Sequence, residues 1–170
     1  EDCRIPDDAV LPNTTGLKNA LQCLNQARYG IAWGVLGSAM ATFDAALDYA
    51  KTRVQFGGRP IAAHQIQQQK LAWMFSEISK GQLLALQIGR LKDRGELRHE
   101  AVSLAKRNNV WVARECAKLA REIHGANGIV NEYPIMRHLM NIESVYTYEG
   151  THDIHTLAIG EYLTGIAAYD

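Results

Sequence analysis

The chain has 170 residues, 47% of them hydrophobic, and its 18 basic and 18 acidic side chains give a formal net charge of zero. This length and apolar content suit one folded domain with a full core and exclude a disordered chain. Without a basic surplus, we expect neither a nucleic-acid partner nor a basic membrane-binding tail.

The longest run without a charged side chain lies between Arg28 and Asp44 and is rich in glycine. Because this run is shorter than a membrane span, we expect no integral membrane segment. Cys3, Cys23 and Cys116 are odd in number and widely spaced. They predict plain buried or half-buried thiols in a reducing compartment.

The first predicted element is a long helix from about residue 15 to residue 54. Gly30, Gly34 and Gly37 fall on roughly one of its faces, which predicts close packing against another helix. The segment Phe-Gly-Gly-Arg-Pro at residues 56–60 then breaks the chain.

Two further long helices are predicted, from about residue 63 to 92 and from about residue 99 to 124. Each has one apolar stripe at three- and four-residue spacing. The first stripe consists of Leu71, Met74, Phe75, Ile78, Gly81, Ala85 and Ile88. The second consists of Val102, Ala105, Asn109, Val112, Cys116, Ala120 and Ile123. Asn109 is the one polar member, and its burial predicts a hydrogen-bond partner.

Residues 125–128, Gly-Ala-Asn-Gly, end the third helix with two glycines able to adopt positive φ. A short helix from about residue 132 to 141 and a last helix from about residue 151 to 168 follow. Strand signals are nearly absent. We therefore predict an all-α fold, an antiparallel up-down four-helix-type bundle with an additional C-terminal helix, over residues 14–170.

A metal centre is one alternative. Residues 96–99, Glu-Leu-Arg-His, match the Glu-x-x-His unit of di-iron bundles, and His152 and His155 lie three apart near Glu149 and Glu161. However, residues 96–99 fall in a predicted loop, and the unit has no second copy on a long helix. We therefore expect no metal.

The segment Tyr-Glu-Gly-Thr-His-Asp-Ile-His at residues 148–155 has the strongest chemical potential. It places a carboxylate at a turn, a glycine beside it and a helix start after it, with Thr151 as the expected N-cap. A base at such a turn is able to reach a ligand, although Glu-Gly-Thr also occurs in ordinary turns.

Several segments that fall on helix ends together resemble the C-terminal helical domain of flavin-dependent acyl-CoA dehydrogenases. In chain order they are Arg-Val-Gln-Phe-Gly at 53–57, His-Gln at 64–65, Gly-Ala-Asn-Gly at 125–128 and Tyr-Glu-Gly-Thr at 148–151. Residues 28–34 and 147–155 resemble glutaryl-CoA dehydrogenases more than other members. The resemblance extends over essentially the whole chain.

The resemblance implies that Glu149 is the catalytic base, which removes the α-proton of an acyl-CoA while a hydride leaves the β-carbon for the flavin. Some members carry the base just before the arginine that corresponds to Arg28. Here Ala27 occupies that position, so the sequence points to Glu149 alone. The residues implied to contact the acyl-CoA substrate are Asn25, Arg28, Tyr148 and Gly150.

The resemblance also implies FAD as the cofactor, in part bound by a neighbouring subunit. The corresponding residues here are Arg53, Phe56, Gln65, Glu122, Ile123, His124, Gly125, Ala126, Thr151, His152 and Asp153. Many relatives have Gln where this chain has Glu122, and Gly where it has Ala126.

As a member of this family, the protein would be a homotetramer that passes electrons to electron transfer flavoprotein, in a bacterial cytoplasm or a mitochondrial matrix. Glutaryl-type members also release CO2 and form crotonyl-CoA.

Residues 1–13 would be the end of a preceding β-domain and a linker, with residues 1–5 as a leftover strand. Because the family's other domains complete the site, we expect this chain alone to bind FAD poorly and to be inactive. A non-catalytic oligomerisation bundle is the second hypothesis.

Overall fold

The structure, a computed structural model, describes residues 2–168. Its α-helices are α1 (Lys18–Thr52), α2 (Gln65–Asp93), α3 (His99–His124), α4 (Ile135–Thr147) and α5 (His152–Thr164). Short 3-10 helices cover Asp7–Ala9, Ile61–Ala63 and Gly125–Ile129. The prediction of an all-α bundle with an additional C-terminal helix is confirmed.

Helix α3 is central, because it packs against α1, α2, α4 and α5. Its bounds are those predicted, and every member of its predicted stripe is buried. Asn109 lies in this stripe and donates from Nδ2 to the carbonyl oxygens of Ala32, at 2.8 Å, and Gly81, at 3.2 Å. The predicted partner is thus present, and the buried amide links α3 to α1 and α2.

The main hydrophobic core lies where small side chains of α1 and α3 let the two helices approach closely. Ala39, Ala46 and Ala50 of α1 are fully buried there, as are Ala113 and Ala117 of α3. Larger side chains from the other helices fill the remaining space, among them Met74, Ile78, Ile135 and Ile142.

A small antiparallel hairpin follows α1 where only a break was predicted. Strand β1 (Val54–Gln55) pairs with β2 (Arg59–Pro60). Phe56, Gly57 and Gly58 all have positive φ, which lets the chain reverse between the two strands. The hairpin leaves the ring of Phe56 81% exposed.

The predicted bounds of the last two helices were wrong. Helix α4 begins after Pro134, which occupies the N-cap position, and it continues to Thr147 rather than ending near residue 141. Helix α5 ends at Thr164 because Gly165 adopts a left-handed conformation at φ 70°. The prediction carried this helix through Gly165 to residue 168.

The expectation of close packing at Gly30, Gly34 and Gly37 was also wrong. All three are exposed, and a Cβ built on any of them would meet no other atom within 4 Å. The tightly packed glycines lie elsewhere. A Cβ at Gly81 would lie 2.8 Å from Leu36 Cδ2, and one at Gly128 would lie 2.5 Å from a backbone oxygen of α3.

Some predicted side-chain environments also differ. Phe75 is 62% exposed, although its helical position suggested burial. Cys3 and Cys23 are exposed free thiols, and only Cys116 has the expected buried environment. Residues 2–6 adopt neither helix nor strand, contrary to the expected strand, and Glu1 lies outside the described residues. The assignment of residues 1–13 to a preceding domain stays a prediction.

By length and composition alone, α1 would be able to cross a membrane, since an 18-residue window has a mean hydropathy of 1.3. A core helix of a bundle meets the same criteria. In this structure α1 contributes buried residues to the core, and 33% of that window is buried.

Candidate active site and cofactor cleft

The turn between α4 and α5 holds its two central residues in the left-handed region. Glu149 has φ 58° and Gly150 has φ 86°. Glycine adopts this region freely, but a residue with a side chain is strained there by about 1–3 kcal/mol and needs support from its surroundings.

The support comes from side chains of three helices that bind the three carbonyl oxygens of this turn. Lys106 Nζ of α3 donates to the carbonyls of Tyr148, at 3.1 Å, and Gly150, at 2.9 Å. Arg28 Nε of α1 donates to the carbonyl of Glu149 at 2.8 Å. His155 Nε2 of α5 lies 3.1 Å from the same oxygen. The backbone of residues 148–150 is therefore fixed from several sides.

The start of α5 is anchored as well. Thr151 Oγ1 accepts a hydrogen bond from the backbone N–H of Ile154 at 3.2 Å, so the predicted N-cap is confirmed. His152 stacks on Tyr146 of α4 with ring centroids 4.6 Å apart. Arg107 of α3 donates to Thr156 Oγ1 at 2.6 Å. These contacts attach α5 to α3 and α4 beside the turn.

The carboxylate of Glu149 is left free by these interactions. The residue is half-buried, and its Oε2 is buried without a hydrogen-bond partner among the described residues. Every contact that fixes the turn goes to a main-chain oxygen. The side chain thus retains an oxygen that is available to receive a proton.

Burial lowers the pKa of two side chains near this carboxylate, Lys106 and His155. Lys106 is 1% exposed; its burial lowers its pKa to about 8, with the Arg28 charge acting in the same direction and Glu149 opposing it. His155 is also 1% exposed, and burial, together with Lys106 and Arg28, lowers its pKa to about 4. The imidazole is therefore neutral near pH 7. Its Nε2 carries the proton, because the facing carbonyl only accepts.

The predicted substrate residues do not line a single cavity. Arg28 and Gly150 meet at the turn, where a Cβ on Gly150 would lie 3.4 Å from Arg28 Nη2. Tyr148 faces a groove of about 390 Å³ between α1 and α4. Asn25 lines a separate depression of about 530 Å³. The structure thus brings three of the four residues to Glu149 and leaves Asn25 apart.

Most of the predicted cofactor residues do converge, in a cleft of about 380 Å³ at the other end of α3. We call it the nucleotide cleft. The predicted residues that line it are Arg53, Phe56, Glu122, Ile123, His124, Gly125 and Ala126. Gln65 does not line it, although its neighbours His64, Ile66 and Gln67 do.

The nucleotide cleft contains a buried acceptor without a partner. His124 is 2% exposed and stacks on Tyr49. Its Nδ1 lies 2.7 Å from the carbonyl of Ala120 and so carries the proton, while Nε2 is buried without a partner among residues 2–168. Burial lowers the pKa of His124, so Nε2 is an acceptor suited to a ligand hydroxyl or amino group.

Other features of this cleft suit the phosphates of a dinucleotide. Arg53 supplies an exposed guanidinium, which is able to bind a phosphate with two hydrogen bonds. Gly125 has φ 58° and no atom near the position of a Cβ, so a ligand has access to the backbone. Glu122 pairs with Lys70 at 2.8 Å, and this pairing offsets its charge beside an anionic ligand. The residues present therefore fit FAD.

The remaining predicted cofactor residues lie elsewhere. Thr151, His152 and Asp153 form the start of α5 beside the base and do not line the nucleotide cleft. In the part of the chain that the structure describes, no group of three or more His, Cys, Asp and Glu side chains is placed to hold a metal ion.

Lys106 and His155 were not among the predicted site residues. A signal for Lys106 was available, since it lies four residues after Val102 and three before Asn109 on a helical stripe that is otherwise apolar or fully partnered. His155 had been considered only as a candidate metal ligand.

Comparison with known proteins assigns the chain to a family. The family model "Acyl-CoA dehydrogenase, C-terminal domain" matches residues 14–164. An acyl-CoA dehydrogenase of Bacillus subtilis (strain 168) is 39% identical over 166 residues, which cover 97% of this chain and 44% of that protein. The chain belongs to the acyl-CoA dehydrogenase family and corresponds to its C-terminal domain. It spans less than half the length of the relatives it matches.

Two solved structures are similar to this chain. A glutaryl-CoA dehydrogenase from Mycobacterium smegmatis is 55% identical with a TM-score of 0.94, covering 98% of this chain and 43% of that one. A second M. smegmatis glutaryl-CoA dehydrogenase, in complex with FADH2, is 44% identical with a TM-score of 0.94, covering 100% and 44%. The relationship and the fit of the nucleotide cleft support FAD as the cofactor, as predicted.

Proposed function

We propose that the chain is the C-terminal domain of an FAD-dependent acyl-CoA dehydrogenase of the glutaryl-CoA type, with Glu149 as the catalytic base. The observation that carries the proposal is the turn itself. Its backbone is bound through three successive carbonyls, while the carboxylate of Glu149 keeps a free oxygen. The similarity to two glutaryl-CoA dehydrogenases supports the substrate assignment.

In the proposed reaction, Glu149 takes the proton from the α-carbon of the acyl-CoA, and the C–H electron pair forms the new α,β double bond as a hydride leaves the β-carbon. FAD supplies the acceptor for that hydride. The neighbouring Lys106 holds the carbonyls of Tyr148 and Gly150 and so helps to fix the turn from which the carboxylate acts. Arg28, Tyr148 and Gly150 are proposed to orient the thioester, and Asn25 to contact CoA farther away.

For glutaryl-CoA, the first step gives glutaconyl-CoA and reduced flavin. We propose that the bond to the γ-carboxylate then breaks, that CO2 leaves and that a proton takes its place, which gives crotonyl-CoA. Mass spectrometry of the products from glutaryl-CoA and from butyryl-CoA tests this assignment. A protein that forms crotonyl-CoA only from butyryl-CoA would contradict the glutaryl assignment but not the dehydrogenase class.

The cofactor is proposed to occupy two places on the chain. The seven cleft residues would hold its nucleotide end, with Gln65 nearby, and Thr151, His152 and Asp153 would lie near the flavin ring of the FAD that faces the base. We propose electron transfer flavoprotein as the acceptor and a bacterial cytoplasm or mitochondrial matrix as the location.

A homotetramer is the proposed assembly. Exposed apolar side chains on α1 and α2 support it, since Met40, Phe75, Leu83 and Leu86 are 40–66% exposed in the single chain. A non-catalytic oligomerisation bundle would use the same surface, and it is the second candidate. Catalysis through Glu149 distinguishes the two.

The decisive experiment replaces the base in the complete FAD-loaded enzyme. Glu149→Gln removes the proton acceptor but keeps the shape of the side chain and all turn contacts. We expect kcat to fall by a factor of about 10²–10⁴ with flavin still bound. Glu132→Gln, at an exposed position, is the matched control and should leave kcat unchanged. Turnover that survives Glu149→Gln would exclude Glu149 as the base.

We also propose that the 170-residue chain alone binds FAD weakly and lacks dehydrogenase activity. Its nucleotide cleft is open, and Phe56 is 81% exposed. Titration with FAD, followed by flavin fluorescence, measures the affinity. A purified chain that is yellow and oxidises an acyl-CoA would contradict this proposal.

A further inference from the structure

We propose that Lys106 is the positioning residue of the base: by bridging the carbonyls on both sides of Glu149, it fixes the place from which the carboxylate acts. This inference rests on the proposed function of Glu149. It adds a residue that contributes through the main chain of the turn rather than through contact with the substrate.

The geometry separates Lys106 from the other two donors. Arg28 and His155 both contact the carbonyl of Glu149 itself. Lys106 contacts the carbonyls of Tyr148 and Gly150, the residues before and after it. The Tyr148 carbonyl belongs to the peptide group before Glu149, and the Gly150 carbonyl to the peptide group after Gly150, so Lys106 holds the turn segment on both sides of Glu149. Neither of the other donors is recorded on those two oxygens.

The burial of Lys106 is unusual for a lysine. The residue lies on the buried face of the central helix, and it is the one Lys or Arg that is buried among residues 2–168. A buried ammonium is unfavourable unless charge-assisted hydrogen bonds compensate for its lost hydration. Its recorded hydrogen bonds go to the turn, so the turn is the reason that the structure offers for a lysine at this position.

Lys106 also carries charge beside the base. The groups that face it are Arg28 from α1, Glu149 from the turn, and His152 and His155 from α5. Glu149 is the only anion among them. Removal of the ammonium takes away the cation that contacts the carbonyls of Tyr148 and Gly150 and loosens the backbone that carries the Glu149 carboxylate.

The first experiment measures the turn in the 170-residue chain, without any catalysis. A protease that cleaves after Glu is added under native conditions, and mass spectrometry quantifies the bond between Glu149 and Gly150. We expect Lys106→Met to accelerate this cleavage about ten-fold, because two hydrogen bonds that hold the turn closed are lost. Cleavage after the exposed Glu96 provides the internal reference.

Lys118→Met is the matched control. It makes the same substitution on the same helix, but Lys118 pairs with Glu115 and does not contact the turn. It should leave cleavage after Glu149 unchanged. Lys106→Arg keeps a cation with several donors and should restore part of the protection. If Lys106→Met does not fold, the comparison of Lys106→Arg with the unsubstituted chain still measures the effect.

The second experiment uses the complete FAD-loaded enzyme. Because a displacement of about 1 Å at a reacting group costs about 10²-fold in rate, Lys106→Met should lower kcat by about that factor. KM should change little, and Lys106→Arg should recover part of the lost kcat. Lys118→Met should leave both kcat and KM unchanged.

Equal cleavage after Glu149 in Lys106→Met and Lys118→Met would overturn the proposal, as would an unchanged kcat in Lys106→Met. The two arms keep the failures apart. If Glu149→Gln retains turnover, the proposed base is wrong even when the protease result shows that Lys106 holds the turn. If Glu149→Gln is inactive and Lys106→Met behaves like Lys118→Met, Glu149 remains the proposed base, but the proposal that Lys106 positions it is wrong.

Discussion

The turn at residues 148–150 and the nucleotide cleft lie on the same helical scaffold. They differ in how many of their polar groups find hydrogen-bond partners within the chain. At the turn, donors from α1, α3 and α5 converge on three consecutive carbonyls, and two of the donors are buried. In the cleft, Arg53 and Phe56 are exposed, and His124 keeps a buried nitrogen without a partner.

This difference indicates which part of the chemistry the chain provides by itself. The backbone position of Glu149, the proposed base, is determined by contacts within the chain, whereas the cleft has polar groups that only a ligand or another part of the protein would satisfy. Substitutions at the turn should therefore change the stability of the isolated chain. Substitutions in the cleft should change cofactor affinity and leave stability alone.

The largest effect on stability is expected from pH at His155. Burial lowers the pKa of His155 to about 4, while the unfolded chain has a His pKa of about 6.5. Only the unfolded chain takes up this proton between those values, so stability is intact above about pH 6.5 and falls by up to about 3 kcal/mol as the pH drops towards 4.

Urea unfolding between pH 7 and pH 4 measures this loss. His155→Gln removes the titrating group and should give a shallower decline, although it also weakens the contact with the Glu149 carbonyl. His99→Gln, at an exposed position, is the control and should retain the full slope. Identical slopes for all three proteins would show that His155 is not held neutral by the fold.

A smaller effect is expected from Gly150→Ala. A Cβ there would lie 3.1 Å from His155 Nε2, at a backbone φ of 86°. Strain and crowding together should cost about 2 kcal/mol of unfolding free energy. Gly95→Ala has the same kind of strain at φ 70°, but no atom lies within 4 Å of its Cβ. Denaturant unfolding should show Gly150→Ala as the costlier change; equal costs would mean that the turn is not crowded.

The smallest effect on stability should come from Arg53→Ala in the cleft. Because Arg53 is exposed, we expect a change in unfolding free energy within about 0.5 kcal/mol. In the complete enzyme, the affinity for FAD should fall about ten-fold, which corresponds to about 1.4 kcal/mol. Lys51→Ala removes a nearby exposed cation that does not line the cleft, and it should change neither quantity. A large loss of stability with unchanged FAD affinity would contradict the assignment of Arg53 to cofactor binding and would give it a role in the fold.

Periodicity predicted the helical scaffold well because long stripes average over many residues. The bounds and the buried face of α3 were correct, and the need for a partner at Asn109 followed from its place among apolar positions. The ends of α4 and α5 were less predictable. Helix α4 begins just after Pro134, and α5 ends just before Gly165. At such ends a single proline or glycine determines the boundary, and the apolar periodicity does not.

Contacts between distant segments were harder to predict. The glycine stripe of α1 was expected to pack, but no element of the described chain covers it. The turn at Glu149 was predicted, whereas its donors Lys106 and His155 were not, since no local pattern indicates which side chain reaches a carbonyl more than forty residues away. Seven of the cofactor residues that the family resemblance implied line one cleft, whereas Gln65, which it also implied, does not line that cleft.

The left-handed backbone of Glu149 affects which residue type suits this position. Every residue type has the carbonyl oxygens that Arg28, Lys106 and His155 bind, so these contacts do not select for glutamate at this position. Glycine would occupy φ 58° with less strain and would be the better choice for folding alone. The fold alone therefore does not favour a glutamate here, and under the proposed function the carboxylate is a local trade-off of stability for activity.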